Sequence, residues 1–110
     1  MDDAKGWVAA HQDEIVAFSI ANKKDGSIFA LFVLPAYEGH GIGSRLLDLA
    51  LQWLWDNGAE HAWLTTTPGS RAARFYERRG WRQVGDDPSG DVRLERARTI
   101  RAARSSPASS

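Results

Sequence analysis

Glu38-Gly39-His40-Gly41-Ile42-Gly43-Ser44-Arg45 is the stretch whose reading decides the fold. It follows an apolar run that ends in Val33-Leu34-Pro35, and it opens a segment from Leu46 onward with the spacing of an amphipathic helix. A strand, a glycine-rich turn and a helix start make an anion site. The first N–H groups of a helix have no partner inside it, and the helix dipole favours negative charge at the same place. Glycines add positive φ and close approach of a ligand. Residues 38–45 therefore read as a phosphate-binding turn. Two common nucleotide patterns fail here: the dinucleotide fingerprint needs a glycine where Ser44 stands, and the P-loop needs Gly-Lys-Ser/Thr where the chain has Gly43-Ser44-Arg45.

Working outward, Ser27 to Leu34 is nearly continuous apolar sequence, as expected of a central strand covered on both faces. Pro35 ends it. Upstream, Trp7–Ala10 and Ile15–Ile20 read as short strands, and Asp25-Gly26 is a hairpin signal between the second strand and the third. Downstream, a helix from about Ile42 to Asn57 carries Leu46, Leu47, Leu49, Ala50, Trp53 and Leu54 on one face, with Trp55 on the flank and Gly58 past its end. A strand over His61–Thr67 follows, then Pro68-Gly69 and a helix capped by Ser70 that runs to about Arg79. Strands at 81–84 and 91–95 flank a hairpin loop at Asp86–Gly90.

The chain has 110 residues, 43% of them hydrophobic and 25% charged, the composition of one globular domain. With 14 basic and 14 acidic residues the formal charge is zero, which argues against a polyanion-binding protein. There is no cysteine, so a thiolate metal site and a cysteine nucleophile are excluded, and the scattered His11, His40 and His61 give a metal little support. No apolar run reaches membrane-spanning length and the acidic start lacks a signal-peptide core; a cytoplasmic location is expected. The arginines from Arg96 onward and the final serines read as a solvated, disordered tail over 96–110.

Val33-x-Pro35, Glu38-x-x-Gly41-x-Gly43 and Leu46-Leu47, followed by Ala73-x-Phe75-Tyr76-Glu77-x-x-Gly80-Trp81, resemble the two signatures of the GCN5-related N-acetyltransferases (GNAT). The resemblance covers residues 6–95. It implies an α/β fold of the α+β kind: a mixed central sheet with an antiparallel N-terminal meander and a strand-helix-strand-helix-strand core. It implies acetyl-CoA as acyl donor, bound by backbone of Phe32, Val33 and Leu34 and by Gly39, His40, Gly41, Ile42, Gly43 and Ser44, with Ser70 close by. Tyr76 is the implied acid that protonates the departing sulfur. The acceptor it implies is a primary amine on a small molecule or a protein, and a homodimer is compatible. An alternative is a non-catalytic CoA-binding module, or half of an assembly that completes the acceptor site.

The chain departs from the family pattern at Glu38, where Gln or Arg is usual, and at Ser70, where asparagine is frequent. No acid lies on the strand 27–34, so His11, Asp13, Glu14, Glu60 and His61 are the substitutes for a general base. The strand and helices that usually precede the segment at Trp7, and form one wall of the acceptor pocket, are not matched by this sequence; the expectation is a minimal acetyltransferase with an open acceptor groove, a second subunit that covers the gap, or a fragment.

Overall fold

A computed structural model describes residues 3–98. Six strands form one mixed sheet in the order β1-β2-β3-β4-β6-β5. β1 (Ala4–His11), β2 (Glu14–Asn22) and β3 (Ser27–Val33) make the antiparallel meander, and a single 3-10 turn over Pro35–Tyr37 leads into helix α1 (Ile42–Asp56). β4 (His61–Thr66), helix α2 (Arg71–Arg78), β5 (Arg82–Asp86) and β6 (Val92–Ala97) complete it. β6 thus runs through Arg96 to Ala97, past the start of the expected tail; residues 99–110 of that tail lie outside the described residues.

Both helices contribute to one core. Leu47, Leu51, Leu54 and Trp55 of α1 and Tyr76 of α2 bury against Ala21, Ile28, Leu64 and Leu94 of the sheet. The expected assignment of the tryptophans is reversed. Trp55 is 8% exposed, whereas Trp53 is only partly buried and meets Trp7 edge-on at 5.7 Å. The buried stripe follows the rows 46-50-54 and 47-51-55, so residues four apart stack, and Trp53 falls toward β1. For the same reason Leu49 is exposed and Leu51 is core.

On the opposite face of the meander, Val8 opposes Phe18 and Phe18 opposes Phe32, an apolar row across three strands. Val8 is 61% and Phe32 45% exposed.

The sheet is split in its middle. β3 and β4 run parallel but register only at Ser27 opposite Trp63. Beyond that pair they diverge into a V. A bulge in β3 starts the divergence: Ile20 opposes Ala30 and Ala21 opposes Ile28, leaving Phe29 as the extra residue that bends the strand. The closed end is tightly built. Trp63 donates its backbone N–H to Gly26 O at 3.0 Å and its indole N–H to Asp25 O at 2.9 Å. Gly26 sits at φ +76, and a Cβ there would stand 2.8 Å from the His61 carbonyl oxygen.

Candidate functional site

The V encloses a cleft of about 560 Å³ lined by Ile28 to Leu31 on one side, Leu64 to Thr66 on the other, and Ala72 and Tyr76 of α2. Its β3 wall is an unpaired strand edge. Leu34 donates its N–H to Val16 O at 2.9 Å, which makes Val16 and Leu34 a hydrogen-bonded pair. Such pairs alternate along an antiparallel ladder. Phe32, opposite Phe18, is therefore also bonded toward β2, while Leu31 and Val33 turn their N–H and C=O toward the gap. Of the residues expected to bind the donor along this strand, Val33 turns its backbone toward the gap; Phe32 is engaged with β2, and Leu34 donates its N–H to Val16 O and accepts at its carbonyl from Tyr37 N–H at 2.8 Å. Leu31 was not anticipated, although the period of two along a strand pairs it with Val33.

At the mouth of the V stands the glycine turn. Gly39 and Gly41 have φ of +83 and +81, and Gly41 is the N-cap of α1. The backbone N–H groups from Gly39 to Ser44 donate to no partner among the described residues; the first bond of the helix is Arg45 N–H to Gly41 O at 3.1 Å. Gly43 is where α1 presses against its neighbours: a Cβ there would lie 3.4 Å from Val33 Cγ2 and 3.9 Å from Phe75 Cζ. Inside the sheet, Ser19 anchors this helix start by donating its hydroxyl to Leu46 O at 3.3 Å. His40 belongs to the same turn and is exposed.

Glu38 pairs with Arg71, 3.5 Å from its carboxylate, and both side chains are exposed. The cation that offsets this carboxylate thus comes from the start of α2, too far along the chain for local spacing to reveal. Ser70 caps α2. Its Oγ accepts from Ala73 N–H at 3.1 Å and its hydroxyl donates to Thr67 O at 2.7 Å. Ser70→Ala is expected to cost about 1 kcal/mol of stability, read as a fall in denaturant midpoint with an unchanged slope.

Tyr76 is 7% exposed, packed against Phe75 at 5.3 Å and Trp81 at 5.7 Å. Burial pushes its phenol up to about 12. Its hydroxyl has no hydrogen-bond partner among the described residues, and the residue lines the cleft. Of the candidate bases, Glu60 and His61 stand by the closed end of the V and do not line the cleft. His11 faces Tyr37 at 5.7 Å, beside the 3-10 turn. Asp25 lines the cleft only at its closed end, where Oδ1 accepts from Ser27 N–H at 3.0 Å. Among the described residues no cluster of three or more His, Asp or Glu could hold a metal, and no helix is long and apolar enough to cross a membrane.

Residues 1–81 match the acetyltransferase (GNAT) family. An uncharacterised N-acetyltransferase of Archaeoglobus fulgidus is 36% identical over 90 residues, 80% of this chain and 59% of that protein. The ribosomal protein bS18-alanine N-acetyltransferase of Haemophilus influenzae is 28% identical, over 66% of this chain and 51% of its own length. The chain therefore spans between half and three-fifths of these relatives. Among solved structures, the PaiA N-acetyltransferase of Thermoplasma acidophilum in complex with coenzyme A superposes with a TM-score of 0.79 at 19% identity, covering 87% of this chain and 62% of that one. A nourseothricin acetyltransferase gives 0.76 at 24% identity, covering 86% and 65%. At these identities the structures speak for the fold.

Proposed function

The chain belongs to the acetyltransferase (GNAT) family, and from that premise we propose that it binds acetyl-CoA in the V and transfers the acetyl group to a primary amine. One observation carries this reading: among the described residues, a strand edge left unpaired at Leu31 and Val33 runs up to a turn whose N–H groups from Gly39 to Ser44 donate to no partner. A ligand with amides along one segment and a diphosphate at its end fits that sequence of partners. Its amides would extend β3 as an added strand, and its diphosphate would lie on the helix start. Acetyl-CoA supplies the acetyl group as a thioester: the amine nitrogen forms the new C–N bond, the C–S bond breaks, and the sulfur leaves with the electron pair.

The residues of this chain orient and stabilise. Leu31 and Val33 hold the donor against β3, and a free N–H of that edge can polarise the thioester carbonyl. Tyr76 delivers a proton at its hydroxyl to the sulfur. An ordinary thiol titrates near 8.5, well below this phenol. The proton that finally rests on sulfur is therefore the one released by the amine nitrogen, relayed through Tyr76, and phenolate does not accumulate. With Asp25 engaged at the closed end, a water chain or an already deprotonated amine takes the place of a carboxylate base.

The same absence of a free acid among the described residues that line the cleft favours a second reading, a CoA-binding module without turnover. One experiment separates the two. Acetyl-CoA or CoA at about a hundred times its dissociation constant should stabilise the fold by roughly 2.7 kcal/mol, seen as a rise in melting temperature that NAD and ATP do not give. No rise with either sinks both readings. A rise without acetylation of any amine in a panel leaves the module.

A further inference from the structure

The face of the sheet that turns away from both helices carries a guanidinium held over an indole. Leu64 of β4 and Leu94 of β6 point into the core, 3% and 0% exposed. By the period of two, Trp63, Thr65, Arg93 and Glu95 stand on the other face. Thr65 opposes Arg93 and Trp63 opposes Glu95 across the ladder. The Arg93 guanidinium lies 4.1 Å from the centre of the Trp63 ring. The indole is itself tied down through its N–H to Asp25 O, so the cation rests on a fixed platform.

What surrounds this cation shows what it can take. Arg93 Nη2 holds the Glu95 carboxylate at 3.2 Å, and both side chains are partly exposed. Arg93 Nε is buried and donates to no partner among the described residues. The ring, rather than hydrogen bonding, therefore dictates where the group sits. A guanidinium carries more donors than one carboxylate accepts, so donors are left over. Arg82 stands opposite Glu95 on β5, and two guanidiniums thus meet one carboxylate along this row. The Arg93 charge also reaches Asp87 in the loop between β5 and β6, but that carboxylate is tied to Ser89 by bonds of 2.6 and 3.0 Å. The row carries spare positive charge, and it borders the cleft, whose lining includes Trp63 and Thr65.

Building on the donor reading above, we infer that Arg93 is a specificity residue for the acceptor, and that the preferred amine carries a carboxylate a few bonds from its nitrogen, as a short amino acid does. Both helices pack on the face of Leu64 and Leu94, so an amine reaches a thioester in the V from the face that holds Arg93. Neighbouring strands are roughly 5 Å apart, and a guanidinium drawn over Trp63 of β4 stands about one such spacing from the gap. That is the reach of a short amino acid from nitrogen to carboxylate. Guanidinium forks match carboxylate oxygens in pairs, and such charge-assisted bonds are about twice as strong as neutral ones. Glu95 competes for the same guanidinium and sets a limit on the selectivity. Arg82, opposite Glu95, can keep it paired when an acceptor takes its place.

The test is steady-state acetylation, with acetyl-CoA as donor, of glycine, β-alanine and 4-aminobutyrate, each against its carboxamide. The full chain is compared with Arg93→Gln and with Glu95→Gln. In at least one pair the acid is expected to have a kcat/KM about tenfold to a hundredfold above that of the amide. Arg93→Gln is expected to bring that ratio near one, chiefly through KM. Glu95→Gln frees the guanidinium and is expected to widen the ratio, a result that can be read even where Arg93→Gln fails to fold. Amides used as well as the acids in every pair overturn the inference and leave acetyl transfer to an amine standing. A preference that survives in Arg93→Gln, or narrows in Glu95→Gln, overturns the assignment to Arg93. Turnover of no member of any pair overturns it too, and the rise in melting temperature with CoA then decides separately whether the donor reading stands.

Discussion

Replacing Tyr76 by phenylalanine is expected to lower turnover by about a hundredfold to ten-thousandfold and to leave acetyl-CoA affinity nearly unchanged. The substitution removes one oxygen and keeps the ring, so the edge contacts with Phe75 and Trp81 persist. What is lost is the hydroxyl proposed to deliver a proton to sulfur. The measurement is kcat together with a dissociation constant from titration. Unchanged turnover in Tyr76→Phe would end the assignment. The pH dependence gives an independent check. Because burial pushes the phenol up to about 12, the acid stays protonated through the neutral range, and no loss of rate below about pH 10 should trace to Tyr76. The same shift has a sign in stability. The folded value lies above the unfolded 10.0, so the contribution is complete below pH 10 and is lost as pH rises toward 12. The unmodified protein should therefore weaken more steeply over that interval than Tyr76→Phe.

The second large effect is expected far from the chemistry, at the closed end of the V. Gly26→Ala meets two obstacles. Its φ of +76 disfavours any side chain, and the new Cβ would stand 2.8 Å from the His61 carbonyl oxygen, a backbone atom that cannot rotate away. Either the hairpin turn or the start of β4 must move, and with it the hydrogen bonds from Trp63 to Gly26 and Asp25. We expect a loss of about 2–4 kcal/mol, or roughly 10–20 °C in melting temperature for a domain of this size. Gly58→Ala is the comparison. It shares the positive φ, at +92, but has nothing within 4 Å of the added carbon, so it should cost only about 1 kcal/mol. A Gly26→Ala protein as stable as Gly58→Ala would show that the seam between the half-sheets tolerates movement. If Gly26→Ala folds, its acetyl-CoA affinity should also fall, because the angle of the V is set there.

Most of the architecture was legible because the signals were local. Asp25-Gly26 announced the hairpin, Pro35 ended β3, Gly58 and Gly80 closed the helices, and Ser70 capped α2, each by backbone chemistry within a few residues. The helix faces were less so. An apolar list that included both Leu49 and Trp53 spread over too wide an arc, and only packing against β1 and the sheet decided which tryptophan entered the core. At the proposed site, the glycine turn drew notice through its spacing, whereas Tyr76 entered only through the resemblance to the family's second signature. The contacts of Arg71 and Arg79 could not be read from spacing, since their partners Glu38 and Ser44 stand more than thirty residues away in the chain. Leu31 was hidden for a different reason. Which backbone groups of a strand face an open edge depends on register, and the bulge at Phe29 resets that register without any glycine or proline to mark it.

The split sheet has a consequence for the end of the reaction cycle. If the donor lies as an added strand against Leu31 and Val33, the bonds it makes are to the part of the molecule that acetyl-CoA and CoA have in common. Spent carrier would then be gripped as firmly as fresh, and completing the chemistry would do nothing to loosen it. Departure requires the ladder along β3 to unzip, and the amides of Leu31 and Val33 should exchange their hydrogens slowly with either ligand present and quickly without. On this view the chemistry does nothing to drive release, and free CoA is an inhibitor competing with acetyl-CoA on nearly equal terms.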